Sequence, residues 1–278
     1  MSMSEIRPMA VREVWQHNFH TEFSLILEFV RRHPFASIDT EFPGTIYKPM
    51  VDKRFYSKLP ASVNYQLMKR NVNSLNIIQL GLTLSNATGT ESCTWEFNFR
   101  DFDIRRDFCD TESIQLLQKQ GIDFERNRIL GIDSRVFGMM IRNSGLMLNQ
   151  LTWATFHSCY DFGYLIKILT WQHLPPDVGS FMFLVGKFFG PRVYDMKHIM
   201  RFCDGLYGGL EKVATTLKVD RQAGKSHQAG SDSLLTLHTF MKLRDVYFGG
   251  SCRNKNLSLR RFQGILYGFE VNAHCLIR

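Results

Sequence analysis

Three short apolar runs lie within the first hundred residues, and turn signals separate them. Phe35-Ala-Ser-Ile-Asp-Thr-Glu-Phe stops at Pro43-Gly44, and Asn76-Ile-Ile-Gln-Leu-Gly-Leu-Thr-Leu and Cys93-Thr-Trp-Glu-Phe-Asn-Phe read as two more strands. Later, Leu151 to His157 and Val193-Tyr-Asp read as strands that alternate with helical stretches at Asp161–Trp171, Met196–Cys203, Leu210–Leu217 and Ser231–Arg244. Strands first, then strand and helix in alternation, predict an α/β fold in which a central mixed sheet carries helices on both faces. Before the first strand, Val14, Trp15, Phe19, Phe23, Ile26, Phe29 and Val30 recur at helical spacing, which predicts one amphipathic helix over Val11–Arg32. Further helices are expected at Val63–Arg70, Asp110–Lys119 and Arg135–Asn143.

The 278 residues are 44% hydrophobic, enough for one large core and incompatible with a disordered chain. No repeat or linker divides them, so residues 11–278 are expected to form a single domain behind a flexible segment 1–10. The longest apolar stretch, Phe181 to Gly186, is far shorter than a membrane span, and no membrane association is expected. Six scattered cysteines without a C-x-x-C pair suit reduced, buried thiols. A net charge of +8 favours a polyanionic partner.

Three D-x-E triplets occur, and context separates them. Asp110-Thr-Glu112 sits where a helix begins and suits capping; Asp123-Phe-Glu125 follows a glycine and reads as a surface turn. Asp39-Thr-Glu41 ends an apolar strand, where open α/β sheets place ligand-binding residues, and the strand period of two puts both carboxylates on one face roughly 7 Å apart. That pair suits a divalent cation, although chance supplies such triplets readily. His227, five residues before Asp232, suits either the same site or a surface loop with a capping aspartate. Asp161, at the junction of an apolar strand and a helix, suits a helix cap and nothing more.

Taken together, Asp39-Thr-Glu41-Phe-Pro-Gly, Phe156-His-Ser-Cys-Tyr-Asp161-Phe-Gly-Tyr-Leu and His227-Gln-Ala-Gly-Ser-Asp232-Ser-Leu-Leu-Thr resemble the Caf/Pop-type deadenylases, the CCR-NOT nucleases of the DEDDh exonuclease superfamily. Val11-Arg-Glu-Val-Trp, Asn76-Ile-Ile-Gln-Leu-Gly-Leu and Gly208-Gly-Leu extend the resemblance to about Phe269, and Arg221-Gln-Ala-Gly-Lys-Ser-His227 is similar to the plant branch. Cys159 departs from the pattern, standing where a glycine is usual, two residues from Asp161, where it could perturb that ligand's backbone.

The resemblance implies a ribonuclease-H-like DEDD fold with Asp39, Glu41, Asp161 and Asp232 as acidic ligands and His227 as the catalytic histidine. It implies two divalent cations, Mg2+ or alternatively Mn2+, the first held by Asp39, Glu41 and Asp232 and the second by Asp39 and Asp161. It further implies 3′–5′ hydrolysis of mRNA poly(A) tails with release of 5′-AMP, a CCR-NOT scaffold and a CCR-type nuclease as partners, and work in cytoplasm and nucleus. A non-catalytic adaptor is the alternative, and nothing in these residues senses the 2′-hydroxyl that separates RNA from DNA. The basic stretch from Lys48 to Arg70 could steer RNA or simply be solvated, and His157 is expected to pack in the core.

Overall fold

The computed structural model describes residues 11–148, 151–249 and 258–270. Cys252, Cys275, segment 1–10 and residues 250–257 and 271–278 lie outside them. Six strands, β1 (Val11–Val14), β2 (Phe35–Glu41), β3 (Gln79–Ser85), β4 (Ser92–Asn98), β5 (Thr152–Thr155) and β6 (Val193–Asp195), form one sheet in the order β1-β4-β3-β2-β5-β6. β2, β3 and β4 pair antiparallel, while β1 joins β4, and β5 and β6 follow β2, in parallel. The first five helices are α1 (Phe19–Phe29), α2 (Ala61–Ser74), α3 (Thr111–Gln120), α4 (Phe124–Leu130) and α5 (Ser134–Asn143). They are followed by α6 (Cys159–Thr170), α7 (Val178–Phe189), α8 (Met196–Ile199), α9 (Leu210–Thr216) and α10 (Ala229–Phe248). The mixed sheet with helices on both faces agrees with the sequence. No described helix is long and apolar enough to cross a membrane.

Strand alternation gives the sheet two unlike faces. Ala36, Ile38, Leu80, Leu82, Leu84, Trp95 and Phe97 lie on one, in a core shared with α1, α2, α5, α6 and α7. The opposite face is polar: the register aligns Ser37 with Thr83 and Thr94, Asp39 with Gly81 and Glu96, and Glu41 with Gln79 and Asn98. α10 lies on this polar face and meets it with hydrogen bonds. Ser37 Oγ donates to the Ser233 carbonyl at 2.6 Å, and the Thr83 hydroxyl is 2.8 Å from that of Ser233. The first N–H groups of α10, which have no partner within the helix, find acceptors on the sheet: Gly230 N–H donates to Glu96 Oε2 at 3.0 Å and Ala229 N–H to Gln79 Oε1 at 3.4 Å.

Two elements differ from the sequence reading. Val11–Val14 is a strand, not the first turn of a long helix, because its backbone groups pair with Thr94–Phe97 at the sheet edge while Asn18 Oδ1 accepts the Trp15 N–H and starts α1 afresh. Asp123-Phe-Glu125 opens α4, with Asp123 accepting the Arg126 N–H at 2.9 Å. Asp110 caps α3 as expected, and Cys93, Cys109, Cys159 and Cys203 are free thiols.

The close approach of α10 depends on Gly81, where a Cβ would lie 1.9 Å from the Ala229 carbonyl oxygen. Gly81→Ala is expected to lower stability by about 1–3 kcal/mol in urea unfolding, the usual cost of overpacking. Unchanged stability would show that α10 docks more loosely than described.

Candidate active site

Asp39 and Glu41 leave the end of β2 on the polar face, in the same row as Ser37. Thr40, between them, points the other way, and its hydroxyl donates to Asp161 Oδ1 at 2.5 Å. Asp161 is the third residue of α6, the helix that follows β5, and it is buried. Asp232 lies in the first turn of α10, also buried, with Oδ2 accepting the His227 N–H at 2.9 Å and Oδ1 accepting Arg221 Nη2 at 2.6 Å. His227 sits on the preceding loop, exposed, with φ 60°. Such left-handed backbone is uncommon outside glycine, and at a cleft it is strain that the surroundings must hold. One donor atom from each of Glu41, His227 and Asp232 falls within 4.8 Å of the others.

The four carboxylates act on each other. The Asp39 acid is held well above the ordinary carboxylate range, first by burial and then by repulsion from Asp161, Asp232 and Glu41. Glu41 is raised by burial and by Asp232 and Asp161. Asp161 is pushed up to about 7 by burial, against the opposing hydrogen bonds from Thr40. Asp232 is raised by burial, while Arg221 and His227 offset part of the effect. All five residues singled out in the sequence are therefore brought to one place. An all-carboxylate set of hard oxygen donors, costly to ionise without a counter-charge, fits Mg2+ or Mn2+.

Sequence reasoning assigned no role to Arg221, Thr40 or Glu96. Arg221 also donates to Glu211, Ser231 and the Lys225 carbonyl, so its guanidinium is fixed on four acceptor residues at the rim of the site. It belongs to a quoted motif, but only the fold aims it at Asp232. Glu96 is buried and paired with the α10 N-terminus. Its sole sequence signal was a carboxylate inside an apolar strand. His157 corrects an expectation: it is exposed, with φ 60°, its N–H donating to Asp195 Oδ1 at 2.8 Å and its ring edge-on to Tyr267. The core cannot take it because Asp195 pins the β5–α6 turn with the ring outward. Cys159, by contrast, is buried as the first residue of α6, and burial raises its thiol.

The chain is similar to known proteins along most of its length. The profile described as CAF1 family ribonuclease matches residues 14–133. An Arabidopsis thaliana protein described as "Probable CCR4-associated factor 1 homolog 7" is 46% identical over 270 residues, 94% of each chain. The poly(A) ribonuclease pop2 of Schizosaccharomyces pombe is 41% identical over 259 residues, 92% of this chain and 75% of its own. The structure of S. pombe Pop2p with Mg2+ and Mn2+ bound has a TM-score of 0.82 at 40% identity, covering 93% of this chain and 99% of that one. A yeast CAF1 co-crystallised with the NOT1 MIF4G domain has a TM-score of 0.74 at 33% identity, covering 96% and 100%. The chain belongs to the CAF1/Pop2 family of ribonucleases, whose fold it shares.

The raised carboxylates carry a prediction with a definite sign. Groups more basic in the folded than in the unfolded state stabilise the fold while protonated and lose that contribution as pH rises from about 4, the unfolded value, through the folded values, about 7 for Asp161. Chelator-treated protein should therefore melt at progressively lower temperature across that window, and added Mg2+ should restore it most at the upper end. Asp39→Asn should raise the metal-free melting temperature by about 2–4 °C for each kcal/mol of repulsion removed, and should shrink the Mg2+ effect. A Mg2+ effect independent of pH would contradict mutual repulsion as its source.

Proposed function

We propose that this protein is a divalent-metal-dependent 3′–5′ exoribonuclease that shortens mRNA poly(A) tails and releases 5′-AMP. The observation that carries the reading is the convergence of Asp39, Glu41, Asp161 and Asp232 with His227 in a member of a ribonuclease family. Clustered buried carboxylates destabilise a fold, and an adaptor that does no chemistry has no use for them. The four acids would hold two Mg2+ ions, which supply an activated water and stabilise the departing 3′-oxygen of an in-line displacement.

The chain's own residues then divide the work. His227, exposed and with a ring nitrogen within 4.8 Å of carboxylate oxygens of Glu41 and Asp232, is placed to take a proton from the attacking water as general base. Asp232 fixes the loop that presents it through the 2.9 Å bond from the His227 N–H. Thr40 sets the rotamer of Asp161, and Arg221 orients Asp232 and offsets one negative charge while the site fills.

A catalytic role within CCR-NOT is the corresponding cellular reading, in cytoplasm and nucleus. The place in CCR-NOT is supported by the relatives named for CCR4 association and by the family member co-crystallised with NOT1. A 5′-labelled RNA ending in adenosines should shorten stepwise with Mg2+, and Asp39→Ala should abolish shortening. His227→Ala should lower kcat by about 10^2–10^4, the usual share of a general base. Equal activity in Asp39→Ala would overturn the reading, and equal shortening of matched DNA would overturn its restriction to RNA.

A further inference from the structure

A groove of about 1340 Å3, larger than the ~300–1,000 Å3 of ordinary small-molecule pockets, is lined by the chain just after β2 and by the start of α6, the two elements that carry Glu41 and Asp161. Tyr160, on its lining, immediately precedes Asp161 and stacks on Phe42, the neighbour of Glu41, at 5.0 Å and 11°. Five tyrosines line it, Tyr47, Tyr56, Tyr160, Tyr207 and Tyr267. Interleaved with them are Lys48, Lys197 and Arg201.

Tyr207 carries the argument. It is 64% exposed, in a loop ending at Gly208-Gly209, and apart from the Lys212 ammonium 5.6 Å from its ring centre, no described ring stacks on it. Lys48 and Arg201 pair with Asp110 and Glu270, but each side chain remains more than half exposed, so their remaining N–H groups face solvent. Glu112 also lines the groove, so charge alone does not select an occupant. The open face of Tyr207 together with half-free cations, in a groove flanked by the segments that carry Glu41 and Asp161, suits a single strand that stacks a base and presents phosphates.

We propose that this groove holds the nucleotides 5′ to the scissile bond, with Tyr207 stacking on an upstream base and Lys48 and Arg201 meeting the backbone. The proposal rests on the ribonuclease reading above and extends it from the reacting bond to the bound strand. Sequence-tolerant stacking of this kind suits a homopolymer tail, because successive bases present equivalent faces as the strand advances.

The test measures binding, not hydrolysis, on the Asp39→Asn background so that RNA survives the measurement. Fluorescence anisotropy with labelled oligoadenylates of two and eight nucleotides should show the longer one binding at least tenfold more tightly. Adding Tyr207→Ala should remove about tenfold of that advantage, the size of one lost base–aromatic stack, and Arg201→Ala should remove part of it. Ile129→Ala, on an exposed face of α4, serves as the control. Equal binding of the two lengths overturns the proposal. So does an advantage untouched by Tyr207→Ala and Arg201→Ala, which would leave the groove to a protein segment. If the parent protein hydrolyses no RNA while the length advantage and its loss on Tyr207→Ala persist, the activity fails and the groove proposal stands.

Discussion

Four like charges gathered at one end of a sheet are the constraint around which the rest of the molecule is arranged. Each carboxylate is withdrawn from water and faces the others, so the metal-free fold carries a cost that its remaining contacts must exceed. The protein offsets part of it locally. Thr40 donates to Asp161, Arg221 and the His227 N–H donate to Asp232, and each hydrogen bond stabilises the ionised form. The larger share falls to the apolar face of the sheet, where Trp95, Phe97, Phe137 and Phe162 are completely or almost completely buried. Stability and function are thus assigned to opposite faces of the same strands.

Bringing the charges together depends on a helix that docks by hydrogen bonds. α10 is buried along much of its length and has no single polar face to turn outward. Ser37, Thr83, Gln79 and Glu96 offer it a polar bed, and Gly81 provides the clearance for its first turn. The helix could not slide along that bed without leaving buried donors unpaired, and this fixes Asp232 opposite β2. The left-handed backbone at His227 then turns the loop so that the histidine reaches the same spot.

Much of this was legible in the residues. β2, β3, β4 and β6 stand where alternation and turns placed them, and α3 begins at its Asp110 cap, whereas Asp161 lies inside the first turn of α6 and caps nothing. The five candidate site residues were named through the family resemblance; alone, the strand-end D-x-E and the His227–Asp232 spacing are local patterns that chance supplies readily. What failed locally failed for tertiary reasons. Val11–Val14 has helical periodicity but is captured by a free sheet edge. His157 has an apolar sequence neighbourhood yet is turned out by Asp195, which is 38 positions away.

The sequence by itself determined the α/β class, the apolar and polar alternation of the strands, and the residue types available for catalysis. These follow from periods of two and 3.6 residues and from motifs a few residues long, which need no partner elsewhere in the chain. The tertiary structure alone decided that Asp161 and Asp232 face Asp39, that Arg221 and Thr40 hold them, and that five tyrosines line one groove. Their separations in sequence run from 11 residues for Arg221 and Asp232, through 121 for Thr40 and Asp161, to about two hundred for Asp39 and Asp232. Only the sheet order and the docking of α10 convert those separations into contact.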